Sequence, residues 1–134
     1  MKVSIFDLDN TLVNTEALRK YRDNRDWKYV YSNIDLTIVD QNTYDILNES
    51  KNGKIVVVTS SPSSYASKVL NFHKISYDKL IGYHDVSRRK PDPEGYLLAI
   101  EPYLNEVTEI FIYGDEEKDF IAARCFKRKI KEFR

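Results

Sequence analysis

Three short apolar runs, separated by segments with helical spacing, constrain the fold of this chain more than any other feature of its sequence. The runs are KVSIF, KIVVV and EIFIY, and each is rich in β-branched or aromatic residues. Runs of this length and composition are typical of buried strands. A weaker fourth candidate is KLIGY, which ends near Tyr83. Strands that alternate with helices predict an α/β fold, in which a parallel sheet carries helices on both faces.

Two of the segments between strands carry clear helix signals. Pro62 and the Asp92–Pro93 pair stand where helices are expected to begin. Residues at helical spacing form two stripes that we expect to be buried, namely Tyr65, Val69 and Phe72 after the first start and Tyr96, Leu97, Ile100 and Leu104 after the second. Each stripe predicts an amphipathic helix that packs on the sheet.

The segment after the first strand is too long for a single crossover helix. About 45 residues separate Asp9 from the second strand, whereas a simple crossover needs about a dozen. The expected helices are, in order, one that begins at Asn14 or Thr15, one that carries Trp27, Val30, Tyr31 and Ile34, and NTYDILNESKNG, which ends at Gly53. We therefore predict a small helical layer inserted at approximately 14–41 within one domain that covers 1–134.

Polar side chains follow the strands at the points where they end. They are Asp7 and Asp9 after the first strand, Thr59 and Ser60 after the second, Lys90 in RRKPDP after the weak one, and Asp115 and Asp119 in GDEEKD after the third strong one. In a parallel sheet these strand ends meet at one edge, where ligands bind. Four carboxylates there would repel one another unless a hard cation, Mg²⁺ above all, neutralised them. With hydroxyls beside a helix N-terminus and a lysine, this set predicts a site for phosphoryl transfer.

The same residues resemble a known family. FDLDNTL resembles the DxDxT motif of the haloacid dehalogenase superfamily, whose members have a Rossmann-like sheet. Thr59, Lys90 in KPDPEGY and GDEEKD are similar to its remaining motifs and occur in the same order. The resemblance spans roughly residues 3–124 and includes the inserted layer, which looks like the short cap of small phosphatase-like members.

The resemblance implies a Mg²⁺-dependent phosphatase that forms an aspartyl phosphate. Asp7 would be the nucleophile, and Asp9, which dehalogenases of the superfamily lack, would be the general acid and base. Thr59, Ser60 and the amides after Asp7 would bind the phosphoryl oxygens, and Lys90 would offset the charge on nucleophile and phosphate. The Mg²⁺ ligands would be Asp7, the carbonyl of Asp9 and Asp115. Asp119 would contact the ion through water, and Glu116 is a minor candidate. The expected partner is a small-molecule phosphate ester.

Several alternatives use the same residues differently. The aspartates after the first strand could form a turn, Thr59 and Ser60 could cap a helix, and GDEEKD could be a solvated helix start. A binding or regulatory protein with this fold would show little turnover. The basic and aromatic stretch Arg19–Tyr31 suggests a phosphatase for nucleic-acid ends. Because Asp23 and Asp26 interrupt that stretch, a cap helix is the stronger interpretation, and nucleic acid is not the expected partner.

Composition limits the remaining possibilities. The 21 basic and 21 acidic residues balance, so the chain has no large net field for nucleic acid or membrane surfaces. Cys125 is the single cysteine, and no run approaches the ~20 apolar residues of a membrane span. The first residues, MKVSIFDL, are unlike a signal peptide. Together these observations predict a cytoplasmic protein. No strand signal follows DFIAARC, so either the helix from about Glu117 or a partner in a homodimer should cover the strand EIFIY.

Overall fold

The four strands form one parallel sheet. A computed structural model describes residues 1–133 and the side chains of residues 1–130. The strands are β1 (Lys2–Phe6), β2 (Lys54–Val58), β3 (Lys79–Ile81) and β4 (Glu109–Tyr113). Their order in the sheet is β3-β2-β1-β4, and every neighbouring pair is parallel. All three strong strand predictions and the weak fourth one are confirmed.

Helices connect these strands. They are α1 (Arg19–Asp23), α2 (Trp27–Ser32), α3 (Gln41–Ser50), α4 (Ser63–Phe72), α5 (Glu94–Ile100) and α6 (Glu117–Phe133). Short 3₁₀ turns lie at Glu16–Leu18, Ile34–Leu36, Tyr83–Asp85 and Glu101–Tyr103. In the part of the chain that the structure describes, no helix combines the length and the apolar character needed to cross a bilayer.

Alternation along the strands produces two cores, one on each face of the sheet. Ile55 and Val57 of β2 belong to the core that α3 and α4 cover, whereas Val56 and Val58 belong to the core that α5 and α6 cover. Successive side chains of a strand point to opposite faces, so a strand buried on both sides must be apolar throughout. The predicted three-layer α/β fold is confirmed.

Two residues of the predicted helix stripes are exposed. Phe72 is 51% and Leu104 is 46% exposed, although the other stripe residues are buried or partly buried. Phe72 is the last residue of α4, and Lys74 soon after it has a left-handed φ of 56°. Helix α5 ends at Ile100, before Pro102 in the following 3₁₀ turn, because proline lacks the N–H that an α-helix needs. Phe72 is therefore exposed at the end of its helix, whereas Leu104 lies beyond the end of α5.

The inserted layer is more broken than the sequence predicts. We call residues 14–41 the cap segment. Its first helical turn begins at Glu16 rather than Asn14 or Thr15, and α2 ends at Ser32, so Ile34 falls in a separate 3₁₀ turn. Backbone hydrogen bonds between Asn14 and Ile38, of 2.7 and 3.1 Å, tie the two ends of the segment together. The next helix, α3, ends at Ser50, before the expected Gly53.

Strand β4 lies at one edge of the sheet, as expected from the lack of a strand signal after DFIAARC. Its residues are half-buried or exposed, and Phe111 is 40% exposed. Ala122 and Phe126 of α6 belong to the core beneath β1, so this helix packs on a face of the sheet. A homodimer that covers the edge stays a prediction.

Candidate active site

Lys90 contacts one carboxylate directly after β1 and another in the first turn of α6. Asp7 directly follows β1, and its N–H donates to the carbonyl of Tyr113 in β4 at 3.0 Å. The Nζ of Lys90 lies 3.1 Å from Oδ1 of Asp7 and 2.7 Å from Oδ1 of Asp119. The Lys90 side chain is only 5% exposed. Three charged residues that are distant in sequence therefore meet in a nearly dry contact.

The turn before α6 holds Asp119 in place. Its Oδ2 accepts hydrogen bonds from the N–H groups of Asp115, at 3.3 Å, and Glu116, at 3.1 Å. A Cβ on Gly114 would lie 2.6 Å from the Cβ of Asp119, closer than side chains can approach. Gly114 is thus required where the turn and the first turn of α6 meet.

Three carboxylates form the part of the site suited to a cation. Asp7, Asp115 and Asp119 each present an oxygen within 4.8 Å of the others. Burial, together with the smaller effect of the Asp119 charge, raises the pKa of Asp7 to about 7 against the opposing effect of Lys90. A hard divalent cation with oxygen ligands fits this set, since it would neutralise carboxylates that otherwise disfavour one another. Asp119 already contacts Lys90 and two amides, so Asp7 and Asp115 are the better candidate ligands.

The carboxylate of Asp9 points towards the cap segment and α4. Its Oδ1 accepts hydrogen bonds from Thr15 Oγ1 and Tyr65 Oη, both at 2.8 Å. Its Oδ2 accepts one from Ser61 Oγ at 2.6 Å and lies 3.2 Å from Nη1 of Arg22. Among the described residues 1–130, Asp9 is not part of the cluster that Asp7, Asp115 and Asp119 form. The Asp9 side chain is therefore oriented towards the cap segment and α4 rather than towards the three clustered carboxylates.

The sequence did not indicate these four partners of Asp9. Tyr65 was expected in the core, where its ring is indeed fully buried, and burial beside Asp9 raises the pKa of its hydroxyl. Arg22 was one of several basic residues in Arg19–Tyr31 and had no distinguishing signal. One sequence signal could have pointed to Tyr65 as a partner of Asp9. It is a tyrosine on the buried face of α4, near the helix end that faces the strand termini.

A cleft lies in front of Asp7 and Asp9. Its volume is about 230 Å³, and Thr59, Ser60 and Arg22 are among its lining residues. Oγ1 of Thr59 accepts a hydrogen bond from the N–H of Ser61 at 3.1 Å, which closes the turn after β2. The structure therefore brings Thr59 and Ser60 to the same cleft as Asp7 and Asp9. Lys90 is not among the lining residues and acts on the cleft through its contact with Asp7.

Comparisons with known proteins agree with this architecture. Validoxylamine A 7′-phosphate phosphatase of Streptomyces hygroscopicus subsp. limoneus is 39% identical over 70 residues, which cover 51% of this chain and 33% of that protein. This chain spans about a third of the length of the curated relatives it matches.

Solved structures of low sequence identity share the fold. A HAD-superfamily hydrolase of Geobacter sulfurreducens matches with a TM-score of 0.75 at 16% identity, covering 95% of this chain and 86% of that one. A predicted phosphoglycolate phosphatase of Haemophilus somnus matches with a TM-score of 0.78 at 18% identity, covering 95% and 82%.

A family model decides the classification. The model described as haloacid dehalogenase-like hydrolase matches residues 24–130. The matched region includes Thr59, Lys90 and Asp119, whereas Asp7 and Asp9 precede it. It also includes three of the four strands of the sheet. The chain belongs to the haloacid dehalogenase-like hydrolase family.

Proposed function

We propose that this chain is a Mg²⁺-dependent phosphomonoesterase that works through an aspartyl phosphate on Asp7. The contact of Lys90 Nζ with Asp7 Oδ1, at 3.1 Å, carries the proposal. It places a buried cation on a carboxylate at the mouth of a cleft, where a phosphate dianion would otherwise be repelled. The relative named as a phosphatase supports the same reaction class.

The reaction would proceed in two displacements. In the first, a carboxylate oxygen of Asp7 attacks phosphorus, the bond from phosphorus to the ester oxygen breaks, and Asp9 gives its proton to the leaving alkoxide. In the second, Asp9 takes a proton from water as that water attacks phosphorus. The phosphorus–oxygen bond to Asp7 then breaks and releases inorganic phosphate. Thr59 and Ser60 would bind the phosphoryl oxygens from the opposite side of the cleft.

Asp7, Asp115 and the backbone carbonyl of Asp9 would hold the Mg²⁺. The ion would supply neutralisation of charge on the phosphoryl group. Asp119 would support the site from behind, because its oxygens contact Lys90 and two backbone amides. We also propose that the cap segment is the family's short cap within a domain that covers residues 1–134, and that small phosphate esters are its substrates.

The experiment is hydrolysis of p-nitrophenyl phosphate by the wild type and by Asp7→Asn. We expect turnover to disappear in EDTA, return with Mg²⁺, and fall at least about 1,000-fold in the variant. Asp35→Asn is the matched control, since it makes the same change at an exposed position of the cap segment. Mg²⁺-dependent turnover that survives in Asp7→Asn would contradict the proposed nucleophile. Absence of any turnover, with retained binding of a metal fluoride, would favour a binding protein.

A further inference from the structure

A second cleft adjoins the one in front of Asp7. Its volume is about 480 Å³, within the range that accommodates a small-molecule ligand. Arg22, Asp23, Ser60 and Ser61 line both clefts, so the two are continuous across these residues. A phosphate ester with its phosphorus near Asp7 would therefore extend its leaving group into the second cleft.

Three side chains with rings are among the lining residues of this second cleft. Trp27 comes from the cap segment, and Tyr83 and His84 come from the turn after β3. The Tyr83 side chain is 37% exposed. The guanidinium of Arg89 lies 3.4 Å from the centroid of the Tyr83 ring, a stacked contact that restrains this ring. Restrained rings at the mouth of a cleft favour a flat, aromatic ligand.

Arg25 adds a cation to the same wall under a backbone constraint. Its φ is 56°, in the left-handed region that residues other than glycine seldom adopt. The side chain is exposed and forms no ion pair within residues 1–130. Strained backbone of this kind is often found at functional sites. A planar guanidinium can stack on the face of a base.

We propose that the second cleft binds a planar, aromatic leaving group, so that the substrates of this chain are nucleotide-like phosphate monoesters. The inference rests on the proposed phosphatase function and specifies its substrate class. The base would contact the wall that Trp27, Tyr83 and Arg25 help to form, while the phosphate occupies the first cleft. A saturated sugar phosphate would leave this wall without a partner.

The test compares AMP and UMP with ribose 5-phosphate. All three are phosphate esters of a primary alcohol, so their intrinsic reactivities are matched and only the base differs. We expect kcat/KM to be about 5-fold to 100-fold higher for the nucleotides, the range expected for stacking of one base. Tyr83→Leu and Trp27→Leu should reduce this ratio towards one. Phe72→Leu, which removes an exposed ring outside both clefts, should leave the ratio unchanged.

Binding to Asp7→Asn, measured by calorimetry, provides a readout that does not need turnover. AMP should bind at least about 5-fold more tightly than ribose 5-phosphate. Equal kcat/KM and equal affinity for the two ligands would overturn the substrate class but leave the phosphatase function standing. A preference that persists in both Tyr83→Leu and Trp27→Leu would overturn the assignment of the wall. A 5′-phosphorylated oligonucleotide that binds more than tenfold better than AMP would overturn it in favour of nucleic-acid ends.

Discussion

Arg22 and Asp9 form an ion pair that links the cap segment to the loop after β1. Nη1 of Arg22 lies 3.2 Å from Oδ2 of Asp9, and the two side chains are 15% and 16% exposed. The guanidinium also lies 5.6 Å from the centroid of the Tyr65 ring, while Nε is buried without a hydrogen bond. The proposed acid and base is thus held by one of the residues that line both clefts.

Replacing Arg22 should destabilise the protein. Arg22→Met leaves the mostly buried carboxylate of Asp9 without its counter-ion. We expect the free energy of unfolding to fall by about 2 kcal/mol. This loss is smaller than that for a fully buried ion pair because both side chains are partly exposed. Urea denaturation measures the difference. Arg19→Met is the matched control, because the Arg19–Glu16 pair is more than half exposed and should contribute little. Equal stability of wild type and Arg22→Met would show that the pair is dispensable for folding.

Tyr65 should position Asp9 through its hydroxyl group alone. Tyr65→Phe keeps the buried ring but removes the 2.8 Å hydrogen bond to Asp9 Oδ1, at a cost of about 1 kcal/mol in stability. We expect kcat to fall by about tenfold and the pH dependence of kcat to shift, since the environment of the acid and base changes. Tyr44→Phe, which removes a hydrogen bond of 3.0 Å to the His73 carbonyl outside the site, is the control. An unchanged pH profile in Tyr65→Phe would mean that its hydroxyl supports only the fold.

Lys90 should be required for stability as well as turnover. In Lys90→Met the carboxylates of Asp7 and Asp119, 11% and 1% exposed, lose their shared cation, and we expect a loss of about 3 kcal/mol. Adding Asp119→Asn to this variant should restore part of the loss, because one buried charge disappears. Lys118→Met tests a lysine whose partner Glu116 is half exposed, and it should have little effect. A double variant no more stable than Lys90→Met would contradict electrostatic coupling between Lys90 and Asp119.

The sequence predicted the sheet and the strand-end residues because both depend on strong local signals. Runs such as KIVVV can be buried on both faces only as central strands, and the ends of parallel strands must share one edge. The sequence did not predict the environment of Asp9. Its partners come from three separate elements, and their meeting depends on how the cap segment folds back between Asn14 and Ile38. Short, broken helices leave a weak periodic signal, so that path could not be derived from spacing.

His73 should make the stability of the protein sensitive to acid. It directly follows the last residue of α4, and its Nε2 lies 2.7 Å from Oγ1 of Thr37 in the cap segment. Thr37 donates its hydroxyl proton to the carbonyl of Ile34, at 2.6 Å, so Nε2 must donate to Thr37.

Partial burial lowers the pKa of His73 below its ordinary value of 6.5, so the unfolded chain takes up the proton more readily than the folded protein. The contribution of His73 is present in full above pH 6.5 and is lost as the pH falls through the lowered pKa of the folded state. The raised pKa of Asp7 acts in the opposite sense over this range, so the test compares variants. Between pH 7.5 and pH 5 we expect the Tm of the wild type to fall relative to that of His73→Gln, which cannot take up this proton. His84→Gln changes the exposed histidine and should keep the wild-type dependence. If the Tm of wild type and of His73→Gln changes equally over this range, His73 does not contribute to the acid sensitivity.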